Sequence, residues 1–197
     1  MILTIDLGNT SIVFGLFSGR RLVRLWRRPS DKFKKVPQGF HCDGVVIASV
    51  VPKLNLPLKK EIKRRLGISP HFVTAENIEG IKVRLKHKRE IGADRVVDAL
   101  AAWKIYGGPS IVVDFGTATT FDLISAKGEY LGGAIAPGVL LARDALYERT
   151  AKLPRVEIKA PRSVVGHDTI SAMQSGLVYG YVAMVEGMVD RIKSKIP

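Results

Sequence analysis

Apolar and polar positions fall into two blocks of short-period alternation, each followed by helical spacing. Ile2 to Asp6 is a brief apolar strand ending on an acidic residue, and Gly8-Asn9-Thr10 carries turn chemistry, since Gly and Asn tolerate positive φ. Ile12 to Phe17 reads as a second strand, and Ser18-Gly19 as the hairpin turn into Leu22 to Trp26. The chain thus opens as an antiparallel meander. Arg27 to Phe40 is basic, contains Pro29, Pro37 and Gly39, shows no helical stripe, and reads as a loop. Gly44 to Val51 is a continuous apolar run, the pattern of a buried central strand. Leu54, Leu58, Ile62 and Leu66 recur at helical spacing, His71 to Val73 is a short strand, and Ile91 to Tyr106 predicts a helix that Gly107-Gly108-Pro109 ends.

The pattern then restarts. Ser110 to Asp114 is again an apolar strand closing on an acid, followed by the small-residue turn Gly116-Thr117-Ala118, a strand over Thr119 to Ile124, and another over Tyr130 to Ile135. Val139 to Thr150 predicts a helix, Arg149 to Arg162 a basic loop, and Thr169 to Lys195 a long helical region broken or bent near Gly176 and Gly180. The restart divides the chain into residues 1–107 and 108–197.

Composition narrows the class. The chain has 197 residues, 46% of them hydrophobic, so it can bury a core, and its one cysteine, Cys42, excludes an internal disulfide. No apolar run reaches the ~18 residues of a membrane span. The first residues show no signal-peptide pattern, which sets the cytoplasm as the expected location. Net charge is the unusual feature: 31 Lys and Arg against 18 Asp and Glu give +13. Anionic partners follow from that. Zinc-finger spacing and basic-aromatic motifs are lacking, so the anion expected is a metabolite and nucleic acid is disfavoured.

The duplicated element carries the chemistry. Ile5-Asp6-Leu7-Gly8-Asn9-Thr10 parallels Val113-Asp114-Phe115-Gly116-Thr117-Ala118-Thr119, each a strand, an Asp, an apolar residue, a Gly and small polar residues. A glycine turn lets backbone N–H groups approach an anion, and Thr and Asn add donors. An Asp at the strand end can hold Mg²⁺, directly or through water, which bridges phosphate oxygens. The bland alternative is two tight hairpins, against which the duplication argues.

Six motifs in order, Asp6 to Thr10, Gly92-Ala-Asp-Arg95, Asp114 to Asp122, Gly132 to Gly138, Ala151-Lys-Leu-Pro154 and Ala172 to Gly180, resemble the type III pantothenate kinase family. The resemblance implies an α/β fold of two ribonuclease-H-like domains of the actin, hsp70 and sugar-kinase type, with a cleft between them. It implies phosphorylation of pantothenate by ATP with Mg²⁺ and a monovalent cation, K⁺ or NH₄⁺, in a homodimer. Residue by residue it implies an ATP loop of Asp6, Leu7, Gly8, Asn9, Thr10, Ser11, Ile12 and Val13, with Thr117 as a further ATP contact. Gly92, Ala93, Asp94, Arg95 and Thr169 would contact pantothenate, with Asp94 also the catalytic base; Asp114 would hold the monovalent cation and Asp6 the Mg²⁺. For Asp94 and Thr169 a helix N-cap is the alternative.

Three departures set further expectations. The segment between Arg28 and Asp43 is short where relatives usually carry a helix, which would uncover one face of the first sheet unless another chain covers it. Leu85 stands where the family often has Tyr, losing a hydroxyl donor. The sequence stops at Pro197 where relatives continue for another strand and helix, as a truncated, a degraded or a naturally short form would. A weakly active or inactive relative, regulatory or nucleic-acid-associated, is therefore the alternative function. The stripe Ile170, Met173, Leu177, Tyr181, Met184 and Met188 predicts a dimer interface, or packing on its own sheet.

Overall fold

The structure, a computed structural model, describes residues 1–196. It forms two compact units, one of Met1–Lys104 and one from Ile105 onward. In the first, β1 (Ile2–Leu7), β2 (Ser11–Ser18) and β3 (Arg21–Pro29) make the antiparallel meander, while β4 (Gly44–Ser49) and β5 (His71–Val73) add parallel strands, in the order β3-β2-β1-β4-β5. Helix α1 (Pro52–Leu66) provides the crossover from β4 to β5.

Strand alternation decides which face is the core. Leu3, Ile5 and Leu7 of β1, Ile12, Phe14 and Leu16 of β2, and Val45 and Ile47 of β4 are all buried, as are Leu58 and Ile62 of α1. The residues between them on β1 point to the opposite face, where Asp6 is exposed. β4 is central as expected, but its burial alternates rather than running continuously. Gly67, at φ 71, closes α1.

The segment read as a loop from Arg27 divides differently. β3 continues to Pro29 and a single 3₁₀ turn follows at Ser30–Lys32. The expectation of an uncovered face is not met on the core side of the sheet, while on the other side Leu25 stays 61% exposed. Val36 and Cys42 are buried in the core, with Phe33 and Phe40 packed against it and Phe40 stacked at a tilt on Trp26, ring centroids 5.5 Å apart. Four apolar side chains on an irregular strap thus complete the core side of the first sheet.

After β6 (Lys82–Val83), a 3₁₀ turn at Lys88–Glu90 leads to α2 (Ala93–Tyr106). In the second unit β7 (Ser110–Phe115), β8 (Ala118–Ile124) and β9 (Glu129–Pro137) repeat the meander, followed by α3 (Val139–Arg149) and α4 (Thr169–Lys193). The fold is α/β with two sheets, the class the motif repeat implies. α4 is one helix of 25 residues, unbroken at Gly176 and Gly180. Asp168 caps it, accepting from Ser171 N–H at 2.8 Å, while the Ser171 hydroxyl answers the Asp168 N–H. Met173 and Leu177 form a small core with Val156, against which Tyr181 packs, so that part of the predicted stripe serves its own unit.

The strap gives the first testable consequence. Val36→Ala is expected to cost about 1–3 kcal/mol in urea unfolding, from lost burial plus a cavity. Lys34→Ala, at an exposed neighbour, should change stability by less than about 0.5 kcal/mol. Equal small effects would mean the strap contributes nothing to the core.

Candidate active site

In the first unit the chain reverses immediately after β1. Gly8 N–H donates to the Ser11 carbonyl at 3.0 Å, closing the turn, and a side chain at position 8 would press on that same carbonyl. Asn9 and Thr10 at its tip are exposed and Ser11 is half-buried. The turn is held from behind by Ser30, whose hydroxyl donates to the Gly8 carbonyl at 2.6 Å and whose N–H donates to the Thr10 carbonyl at 3.1 Å. Ser30 is itself buried, so these bonds face no competition from water. With two turn carbonyls occupied from behind, the polar side chains at the tip remain on the solvent side.

Leu7 and Ile12, both in the predicted nucleotide loop, lie in the core. Only their backbone can serve a ligand. Val13 is half-buried on the open face.

Parallel pairing brings a second motif to this end of the sheet. Val50, just past β4, donates its N–H to the Leu7 carbonyl at 3.0 Å. A side chain at Gly92 would stand 3.3 Å from Val50 Cγ1 and run into the Asp94 carboxylate. Gly92 therefore lets the start of α2 close onto the end of β4 with the Asp94 carboxylate tucked beside it. Ligands in open α/β sheets bind outside the carboxyl ends of strands, where this arrangement lies. Asp94 is half-buried and is the second residue of α2, so it is not the cap. Its carboxylate accepts from Arg95 N–H at 2.8 Å, and its charge at a helix N-terminus is favourable. Ala93 is buried and Arg95 half-buried. Leu85 is half-buried, in the loop between β6 and the turn before α2.

In the second unit the turn after β7 is closed by Gly116 N–H on the Ala118 carbonyl at 2.9 Å, and Asp114 and Thr117 are exposed. Gly138, which caps α3, donates to the Thr117 carbonyl at 3.0 Å. A side chain there would collide with the carbonyls of Gly116 and Thr117. The N-terminus of α3 thus rests directly on the second turn. Asp122 is buried and accepts from the Tyr130 hydroxyl at 2.6 Å, a core pair rather than a site group. Thr169 opens α4 on the surface, and Asp168 rather than Thr169 does the capping. Attraction to Ser171 donors holds the Asp168 carboxyl below the usual carboxylate range.

Two residues that support the site were not among the sequence-based candidates. Ser30 lay inside the segment read as a loop, where a lone Ser carries no signal. Arg27 lay there too, and its Nη1 donates to Ser11 Oγ at 3.5 Å. Arg27, Arg28 and Pro29 carry no apolar alternation, so the extension of β3 to Pro29 left no sequence signal.

Comparison with known proteins agrees with these motifs. The profile of the type III pantothenate kinase family matches residues 2–191. The chain is 46% identical over 211 aligned positions to a type III pantothenate kinase of Moorella thermoacetica, covering 100% of this chain and 83% of that one. It is 42% identical to that of Thermobifida fusca, covering 100% of this chain and 82% of the relative. For Halalkalibacterium halodurans identity is also 42%, over 99% of this chain and 83% of the relative.

The Ser30 bonds can be tested without assuming a reaction. Ser30→Ala leaves the Gly8 carbonyl without its buried donor and should cost about 1–3 kcal/mol in urea unfolding. Ser30→Thr, which keeps the hydroxyl, should cost less than half as much. Equal losses would show that the hydroxyl is not what fixes the turn.

Proposed function

The chain belongs to the type III pantothenate kinase family, and on that premise we infer that it phosphorylates pantothenate with ATP, the first step of coenzyme A biosynthesis. The observation that carries the reading is the family match across nearly the whole chain, joined to a glycine turn and an acid-bearing motif at one end of the same parallel strands. The protein is a kinase. Residues 1–107 and 108–197 are its two ribonuclease-H-like domains.

Asp94 is the base in this reading. The pantothenate hydroxyl oxygen attacks the γ-phosphorus of ATP, the bond to the bridging oxygen of ADP breaks, and the hydroxyl proton passes to the Asp94 carboxylate. A base is most effective when its carboxylate is already oriented, and here the Arg95 N–H holds one carboxylate oxygen while the side-chain-free Gly92 leaves it room. Arg95 pairs with the substrate carboxylate or a phosphoryl oxygen. Gly92, Ala93 and Thr169 complete the pantothenate contacts, while Asp6 to Val13 and Thr117 bind the nucleotide.

The residues present suit the expected ions. Among the described residues no cluster of three or more His, Cys, Asp or Glu could cage a metal. That fits Mg²⁺ held chiefly by phosphates and water with Asp6 beside it, since Mg²⁺ keeps several waters. Mg²⁺ supplies charge neutralisation of the phosphoryl oxygens when bound. Asp114, an exposed carboxylate next to a turn of backbone carbonyls, offers the all-oxygen donors that K⁺ or NH₄⁺ takes. Among the described residues no helix is long and apolar enough to cross a membrane.

The enzyme is a homodimer through α4. Met173, Leu177 and Tyr181 serve their own unit, so the surface shifts around the helix from the methionine stripe. Gly176 and Gly180 are exposed, with open space where a Cβ would stand, and the exposed Ala172 and Ala183 share their face of the helix. Glycines in a helix cost about 1 kcal/mol each relative to Ala, which a close partner helix would offset.

Two measurements test this reading. Asp94→Asn should lower kcat by about 10²–10⁴ with unchanged melting; a variant retaining most of its turnover would remove Asp94 from the chemistry. Gly180→Arg should convert the dimer to a folded monomer in light scattering, because the added side chain meets nothing within its own chain. A wild-type protein that is monomeric at micromolar concentration would end the dimer reading.

A further inference from the structure

The first phosphate loop is short of positive charge. Residues Asp6 to Val13 include no Lys or Arg, and Asp6 adds a negative charge to a place read as holding a polyphosphate. Backbone N–H groups and hydroxyls alone would have to stabilise that anion. Phosphoryl-transfer sites ordinarily add a cationic side chain.

Register across the sheet shows where one comes from. Asp6 on β1 is directly opposite Val13 on β2, and Val13 is directly opposite Arg27 on β3. Residues paired across strands share a face, so Asp6, Val13 and Arg27 form one row on the open side of the sheet. Asp6 and Arg27 are both exposed at its two ends. Ser11 lies two residues before Val13, hence on that face too, and the Arg27 guanidinium reaches it at 3.5 Å. The side chain is therefore bent towards the turn.

The remaining arginines behave differently. Arg24 is paired with Leu16 and Arg28 with Ile12, both on the core-facing rows. Arg28 is further committed by its bond to the Lys35 carbonyl at 2.9 Å. Arg27 makes no carboxylate ion pair among the described residues, and its one side-chain bond is the long contact to Ser11. Its backbone is well fixed nonetheless, because Ser30, three residues on, is buried and doubly bonded to the turn. A pre-positioned guanidinium with most of its donors unused, beside a turn, is the arrangement that recognises phosphoryl oxygens bidentately.

We propose that Arg27 is a nucleotide-binding residue, contributing a guanidinium fork to the phosphate groups of ATP at the first loop. The proposal rests on the reading of Asp6 to Val13 as the nucleotide loop. Its positive charge supplies what the loop sequence itself lacks, and its place on the edge strand β3, with β2 and β1 between it and β4, assigns it to the nucleotide loop rather than to the acceptor motif beside Val50.

Steady-state kinetics of the full chain test this, with Mg²⁺-ATP and pantothenate varied in turn. Arg27→Gln should raise KM for ATP about 10- to 100-fold, the loss expected for charge-assisted bonds. KM for pantothenate should stay within about twofold and melting should not change, because the side chain is exposed. Arg27→Lys should recover part of the loss. Arg24→Gln removes the same charge on the opposite face and should leave KM for ATP unaltered. Titration of ADP without pantothenate, followed by tryptophan fluorescence, should show the same order of affinities.

A KM for ATP within twofold of wild type in Arg27→Gln would overturn the proposal. Equal effects of Arg27→Gln and Arg24→Gln would overturn it as well, because the cause would then be general charge. Gly8→Val separates the role of the loop from that of Arg27. Weakened ADP binding in Gly8→Val with normal binding in Arg27→Gln rejects Arg27 alone. Normal binding in both rejects the loop assignment itself.

Discussion

The tight reversal after Leu7 is the constraint on which the first unit's chemistry depends. β1 is hydrogen-bonded on both sides, antiparallel to β2 and parallel to β4. Antiparallel pairing demands an immediate turn back along the same edge, which only a few residues with permissive backbone can make. Parallel pairing brings the end of β4 to the same level, and the chain leaving it carries Val50 to the start of α1. Val50 then meets the start of α2 at Gly92. One strand end therefore collects a turn and two helix starts, each offering N–H groups to an anion. The site is a consequence of this pairing pattern, in the sense that no separate element is needed to assemble it.

The uneven charge of the chain has an economical explanation in the same terms. Arg20 to Lys35 holds eight Lys and Arg and one Asp, more than half of the net +13. This stretch contains β3, the edge strand next to the first turn, and the strap that follows it. Charged residues on an edge strand also discourage pairing with another chain. ATP and pantothenate are both anions, so a positive surface leading towards the loop raises their encounter rate. Nucleic acid is not required to account for the charge. The same residues would give binding a marked dependence on salt, because exposed charges are screened over about 10 Å at 0.1 M ionic strength.

Strand and helix identities were legible because the apolar period changes cleanly from two to roughly four, and because glycines sit where the chain must turn. The duplicated Asp-x-Gly turn was legible for the same reason, and it led to the site. Two things were not. The strap from Phe33 to Cys42 has no period, yet its side chains fill the core; packing by an irregular segment leaves no repeat to read. Long-range hydrogen bonds were equally invisible, since the bond from Ser30 to Gly8 spans 22 positions and depends on β3 running three residues further than its apolar pattern suggests. Of the break or bend expected in α4, the break is absent for a different reason. Glycine weakens a helix by an amount smaller than the packing that Met173 and Leu177 contribute from the same helix, so tertiary contact outweighs local propensity.

The two turns share a sequence pattern but are supported by opposite devices. At the first, a side chain does the holding: Ser30 donates from behind, and the turn keeps its shape because a hydroxyl is present. At the second, the absence of a side chain does the holding: Gly138 brings the α3 N-terminus against the carbonyls of Gly116 and Thr117, and any Cβ would separate them. Duplication of a turn therefore does not imply duplication of its support. The first should accept any residue at position 30 that presents a donor of the right reach, whereas position 138 admits only glycine. The feature preserved in both copies is the turn itself, with an exposed Asp just before it and small polar residues after it, which is the part a phosphate would touch. The parts that differ lie behind it, where the only requirement is that the backbone be kept still.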